Sequence, residues 1–151
     1  MNLFNTKKDN DYTIIVGCGR LGANLANTLS DEGKNVLIMD TQKEAFRRLS
    51  SGFGGLSVVA DGTDFNALRD ANIQNATAVV VVTNKDNTNI MVSQIAKHVF
   101  KSKLVIARLY DYERECVYKE LDIDTICPAV LSAKEIDKLL VEFKKNNNTG
   151  V

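Results

Sequence analysis

Three glycines, one acidic residue and a few flanking polar groups are the residues of this 151-residue chain whose types and spacing imply chemistry. Gly17-Cys18-Gly19-Arg20-Leu21-Gly22 follows the β-branched run Thr13–Val16 and leads into helical spacing at Leu21, Leu25, Ala26 and Leu29. Each glycine has its own task. Gly17 lets the chain turn off the strand where a Cβ would clash. Gly19 lets the backbone approach a phosphate, and Gly22 lets the helix pack hard against the strand. Free N–H groups at the start of that helix, with the positive end of its dipole, suit an anion such as a pyrophosphate. A glycine motif alone is weak, but here it has a strand before it, a helix after it and an acid beyond. Asp40 closes the next apolar run eighteen residues after Gly22, near the ~20 expected of an acid that holds a ribose. Its carboxylate would accept hydrogen bonds from both ribose hydroxyls and repel a 2′-phosphate, favouring NAD or another unphosphorylated ribose over NADP.

The remaining candidates are less specific. Arg20 either pairs a phosphate oxygen or stands as a solvated first-turn arginine. Cys18 is either a thiol activated by the helix N-terminus or a small residue that fits a tight turn. Thr41 follows Asp40 and offers a helix cap. Asp61-Gly62 either meets the adenosine or forms an ordinary turn, and Thr83-Asn84 ends another apolar run. Lys43 either reaches a terminal phosphate or faces water. Arg108 either reaches into the site or pairs with a carboxylate such as Glu113. The candidate binding residues are thus Gly17, Cys18, Gly19, Arg20, Leu21, Gly22, Asp40, Thr41, Asp61, Gly62, Thr83, Asn84 and Arg108. The one histidine, His98, falls late in a helical segment and away from these ends, a poor place for a general base. With no catalytic pair visible and no room for a substrate domain, the chain reads as a binding module rather than an enzyme. The alternatives are a small NAD-dependent oxidoreductase and a nucleotide or redox sensor with another partner.

These residues need elements to position them. The pattern predicts strands at Tyr12–Val16, Asn35–Asp40, Leu56–Ala60, Thr77–Thr83, Lys103–Leu109 and Ile123–Cys127, the last ended by Pro128. It predicts helices over Arg20–Glu32, Gln42–Ser51, Phe65–Ala71, Asn87–Phe100, Tyr112–Leu121 and Ser132–Phe143, with Asp64 and Asp111 as caps and Gly33 as a C-terminal glycine. Apolar strands alternating with helices imply an α/β fold: a single-domain, Rossmann-type doubly wound parallel sheet of order 3-2-1-4-5-6. Its ligand crevice lies outside the carboxyl ends of strands 1 to 4, which is where the candidates fall. Residues 1–11 read as a flexible leader and the asparagine-rich 144–151 as a disordered tail. Nineteen Lys and Arg balance nineteen Asp and Glu, which argues against a nucleic-acid binder. No apolar run approaches the ~20 residues of a membrane span and no signal peptide opens the chain, so a cytoplasmic location is expected. The three cysteines suggest neither a disulfide framework nor a zinc site.

The order of motifs resembles the nucleotide-binding N-terminal domain of the Trk/Ktr potassium-transport regulators, the RCK or KTN domain. The residues that carry the likeness are Ile15–Gly22, Met39-Asp40, Val59–Asp64 with Leu68, Ala78–Asn84 with Asp86-Asn87, Val105–Arg108 and Ile126–Pro128. The resemblance spans about 12–143. It implies a cytosolic regulatory subunit at the inner face of the membrane, docked on a potassium channel or transporter and assembled as a homo-dimer or larger ring. It also implies an adenine nucleotide in the crevice, either NAD(H) or ATP, ADP or AMP. Subunit pairing would fall to Tyr112–Leu121, through Val117, Tyr118 and Leu121, unless these only cover the sheet. One departure is the second, smaller ligand-binding domain of many members, which does not follow here; the chain is either a short stand-alone member or a trimmed one.

Overall fold

Six short runs lie side by side because the inner, apolar ones must bury two faces, and a parallel sheet with helices on both sides offers that burial; the two outermost runs stay largely exposed. The computed structural model describes residues 11–148. In chain order the strands are β1 (Tyr12–Val16), β2 (Asn35–Asp40), β3 (Leu56–Val59), β4 (Ala78–Val81), β5 (Leu104–Arg108) and β6 (Asp124–Ile126). All pair in parallel in the order β3-β2-β1-β4-β5-β6, as the sequence pattern predicts. The helices are α1 (Arg20–Asp31), α2 (Phe65–Asp70), α3 (Asp86–Gln94), α4 (Glu115–Glu120) and α5 (Pro128–Asn148).

β1 is central and fully buried, with Val16 opposite Met39 on one side and Val81 on the other. Strand alternation splits the core in two. Ile14, Val16, Leu37, Met39, Val79 and Val81 pack with Leu68, Ile73 and Val92 on the face of α2 and α3. Ile15, Val36, Ile38, Val80 and Val82 pack with Ala23 and Ala26 of α1 on the other.

Local signals set several ends as expected. Asp64 accepts from the Asn66 N–H and Asp111 from the Glu113 N–H. Gly33 has φ +75° and closes the end of α1.

Five elements differ from the sequence pattern, one of them the helix expected over Tyr112–Leu121, which opens as the 3-10 turn Tyr112–Arg114 before α4. The helix expected over Gln42–Ser51 is a single 3-10 segment, Lys43–Arg48, and Thr41 does not cap it. Leu49 leaves the helical region at ψ 142° and packs with Phe46 and Phe53 on the second core cluster, so packing overrides propensity. The long helix before β5 closes with a π-helical turn, Ile95–Val99. A 3-10 turn, Ile73–Asn75, follows Asn72, whose φ is +58°. Pro128 opens α5, since a proline's missing N–H and fixed φ suit a first helical turn. That helix runs on through Asn148, so 144–148 are helical where a disordered tail was expected. Residues 1–10 of the expected leader and 149–151 of the tail lie outside the described residues. No helix among the described residues is long and apolar enough to cross a membrane.

Two buried tyrosines tie the layers together. Tyr12 Oη donates to the Ala71 carbonyl at 2.6 Å and Tyr118 Oη to the Asp86 carbonyl at 3.1 Å. Burial pushes both phenols up to about 12, with the Asp86 carboxylate adding to the effect at Tyr118. A folded-state pKa above the unfolded value means that the folded state keeps protons the unfolded chain releases. Stability is therefore full below pH ~10, the phenol's free value, and falls as pH rises from there toward about 12. Denaturant midpoints across that window should decline in the native chain and decline less in Tyr12→Phe and Tyr118→Phe.

Candidate functional site

The chain leaves the centre of the sheet through a turn that tolerates no side chain at two points. Gly17 has φ +107°, and a Cβ there would lie 2.9 Å from the Thr83 nitrogen. A Cβ on Gly22 would run into the Gly17 carbonyl oxygen, so α1 sits directly on the turn. Gly19 is the opposite case: its φ is −78° and a Cβ there meets nothing within 4 Å. The first two glycine tasks are packing and geometry; at Gly19 the backbone instead borders open space.

That space is a cleft of about 1020 Å³ outside the carboxyl ends of β1 to β5. Its walls include Gly17, Cys18, Gly19, Asp40, Thr41, Asp61, Gly62, Thr83, Asn84 and Arg108, ten of the thirteen sequence candidates. The other three stand outside it. Gly22 is wedged under the turn, Leu21 packs on the second core cluster, and Arg20 is exposed on the first turn of α1.

Asp40 is already engaged. One carboxylate oxygen accepts from the Cys18 N–H and the other from the Gln42 N–H, both at 2.8 Å. Each oxygen keeps a second acceptor position for a ligand hydroxyl. Asp61 accepts the Thr63 N–H at 2.8 Å and the Thr63 hydroxyl at 2.7 Å on the same oxygen. These two bonds, the backbone one first, hold its carboxyl below the usual carboxylate range. It lines the cleft as an anion with its second oxygen uncommitted.

Cations face the cleft from both banks. Arg47 and Arg48 stand beside Asp40, while Lys85 and Arg108 stand past β4 and β5. Arg108 lies over the Tyr110 ring at 4.2 Å, and its Nε is buried without a partner. None of the ion pairs among the described residues includes it, so the expected alternative of a Glu113 pair is not the arrangement seen. Lys43 is exposed and does not line the cleft. Arg47, on the same 3-10 segment, lines the cleft instead. His98 is exposed on the π-helical turn, at the far end of the sheet.

Sequence reasoning also missed Asn89, which is fully buried. Its Oδ1 accepts from the Thr83 N–H at 3.0 Å and the Thr83 hydroxyl at 2.6 Å. Its Nδ2 donates to the Thr83 carbonyl at 3.1 Å and the Arg108 carbonyl at 3.0 Å. The available signal was a polar residue at a helix position where the flanking pattern calls for an apolar one.

Fold and cleft together define a Rossmann-type domain with its crevice at the point where strand order reverses. Residues 13–128 match the TrkA-N domain, and the chain belongs to that family. It is 38% identical over 130 residues to the Trk system potassium uptake protein TrkA of Streptomyces coelicolor, covering 86% of this chain and 58% of that protein. It is 33% identical over 126 residues to a TrkA homolog of Pyrococcus horikoshii, covering 83% and 55%. The chain thus spans about half the length of the curated relatives it matches. Among solved structures, the GsuK structure bound to ADP superposes with a TM-score of 0.72 at 25% identity, over 87% of this chain and 34% of that one.

The Cys18 thiol is buried and donates to the Ala45 carbonyl at 3.5 Å. Burial, then the Asp40 carboxylate, pushes its pKa up, against a smaller opposite pull from Arg48. Of the two readings of Cys18, this buried geometry fits the small residue in a tight turn rather than a thiol activated by the helix N-terminus. Alkylation of the native protein near neutral pH should modify exposed Cys116 and spare Cys18 until the chain unfolds, read by peptide mass spectrometry. Cys18 labelling as fast as Cys116 would contradict the assignment.

Proposed function

We propose that this chain is a nucleotide-binding regulatory unit of a Trk/Ktr-type potassium uptake system, with an adenine nucleotide in the cleft and no catalytic role. The observation that carries the reading is the open backbone at Gly19 beside an anchored Asp40. Membership of the TrkA-N family and relatives named as potassium uptake proteins support it. So does the likeness to a GsuK structure bound to ADP.

In this reading the Gly17–Gly19 backbone receives the phosphates. Asp40 takes the ribose hydroxyls on its free acceptor positions, and Asp61 and Thr41 border the adenosine. Thr83, Asn84, Lys85 and Arg108 face whatever extends beyond, either nicotinamide nucleotide or further phosphate. Both NAD(H) and ATP, ADP or AMP present the same adenosine and first phosphate to the first group. A nucleotide regulates only by the difference in its affinity for two arrangements of the assembly.

The assembly is a homo-dimer or ring docked on a membrane potassium transporter or channel subunit, on its cytoplasmic side. Exposed apolar side chains support that pairing. Tyr112 and Val117 are 53% and 42% exposed, while Tyr118 is buried in its own domain. The pairing surface expected from 112–121 therefore narrows to the outward residues.

Two experiments test the site. Gly19→Val should fold normally, because its Cβ meets open space, yet lose ADP affinity by at least about tenfold, the worth of one charge-assisted hydrogen bond. Gly22→Ala should instead lose about 1–3 kcal/mol of stability through overpacking. Calorimetric titration and denaturant unfolding separate the two, and a Gly19→Val protein that binds ADP like the parent would make the turn purely structural. Asp40→Ala should weaken adenine-nucleotide binding by about 1–3 kcal/mol, since it removes hydrogen bonds to a charged group and frees the Cys18 and Gln42 N–H groups. Unchanged calorimetric affinity in that variant would remove Asp40 from the site.

A further inference from the structure

The outward face of α3 carries no fixed charge. Its exposed positions, continued through the π-helical turn, are Asn87, Met91, Gln94, His98 and Val99. A helix face kept in water is ordinarily charged or strongly polar, and the other helices follow that rule. α1 shows Arg20 and Asp31 to solvent, α2 Arg69 and Asp70, α4 Lys119 and Glu120, and α5 Lys138 and Glu142. Depletion of charge with methionine and aromatic residues present is instead the composition of the core of an interface.

An anchor flanks the face on the side of α2. Phe65 is 44% exposed, yet its ring lies 6.3 Å from that of Phe100, which packs on the first core cluster. On the other side Arg114, just ahead of α4, donates to Asn87 Oδ1 at 2.9 Å. The neutral face is therefore continuous with the outward residues of 112–121, the stretch assigned above to pairing.

We propose that this face is the centre of a two-fold contact between copies of the chain, with α3 antiparallel to α3 of the second copy. A nucleic acid, an anionic membrane surface or a charged peptide would find no counter-charge on it. A second copy meets it with no cost of like charges. The first four outward positions are spaced four, three and four residues apart, an order that reads the same in both directions. An antiparallel pair then sets Met91 against Gln94 of the second copy and Asn87 against His98 of the second copy, each twice, as an isologous contact requires. Met91 supplies the apolar centre, while amide and imidazole can exchange a hydrogen bond at either end. The inference rests on the homo-oligomer of the proposed function and moves its centre from α4 to α3.

Sedimentation equilibrium of the full chain tests the contact. The native chain should be a dimer or larger. Met91→Lys, at a position half exposed and clear of the core, should melt like the native chain but associate at least about tenfold more weakly, because it buries an ammonium without a counter-charge. Gln94→Glu should weaken association in the same way. An equimolar mixture of the two variants should associate again: each mixed pair joins the introduced ammonium to the introduced carboxylate once and repeats the native contact once. A Met91→Lys protein that associates like the native chain, or a mixture that pairs no better than either variant alone, would overturn the register and the face. Dissociation by Val117→Lys but not by Met91→Lys would overturn the inference and leave pairing through 112–121 standing. A native chain that is monomeric throughout would overturn both.

Discussion

Everything near the cleft depends on how closely α1 can approach the end of β1. The chain reverses within three residues, and the first turn of the helix rests on the carbonyl of the residue where the turn began. No side chain larger than hydrogen fits at Gly22, and only a residue at ease with φ +107° fits at Gly17. The result is a helix start at which Gly17 and Gly19 border the cleft with backbone alone. Asp40 then fixes the turn from across the sheet by accepting the Cys18 N–H. Side chain and turn are mutually dependent: the carboxylate is oriented by two backbone donors, and one of those donors is oriented by it.

The same logic recurs on the other bank. Asp86 and Asn89 lie three residues apart, on one side of α3, and together they hold Thr83, Arg108, Tyr110 and Asp111. Backbone ends that would otherwise be loose loops are fixed by buried or partly buried side chains before any ligand arrives. Such preorganisation lowers the ordering cost that binding would otherwise meet.

The fold was legible because its signals are local and repeated: apolar runs of strand length, Asp64 and Asp111 as caps, and Gly33 after α1. Strand order followed from the handedness of crossovers. The glycine turn and Asp40 were legible because their spacing is itself the chemistry. What escaped was decided by contacts distant in sequence. The 3-10 segment after β2 is set by how Leu49 and Phe53 meet the core, which no window around Gln42 reveals. The role of Asn89 exists only once β4 and β5 are adjacent. Cys18 was open to two readings because a helix N-terminus and burial act on a thiol in opposite directions; here burial wins, and the nearby carboxylate reinforces it. Pro128 follows the end of β6 as read, and it also opens α5 ahead of the helix start expected at Ser132, a position at which proline fits equally well.

α5 poses a different kind of constraint. It is 21 residues long and has no buried residue. Leu131, Ile136, Leu139, Leu140 and Phe143 are each more than half exposed. Among the described residues only the start of this helix is partly covered by the domain that carries it, and isolated helices are marginal in water. Covering one such side chain is worth about 1.5–3 kcal/mol before the costs of association, so the stripe is a store of binding free energy that the sheet and its cleft do not use. On the proposed reading, a nucleotide acts by changing the relation between subunits, and a stripe of exposed apolar side chains is surface on which such a relation can be built.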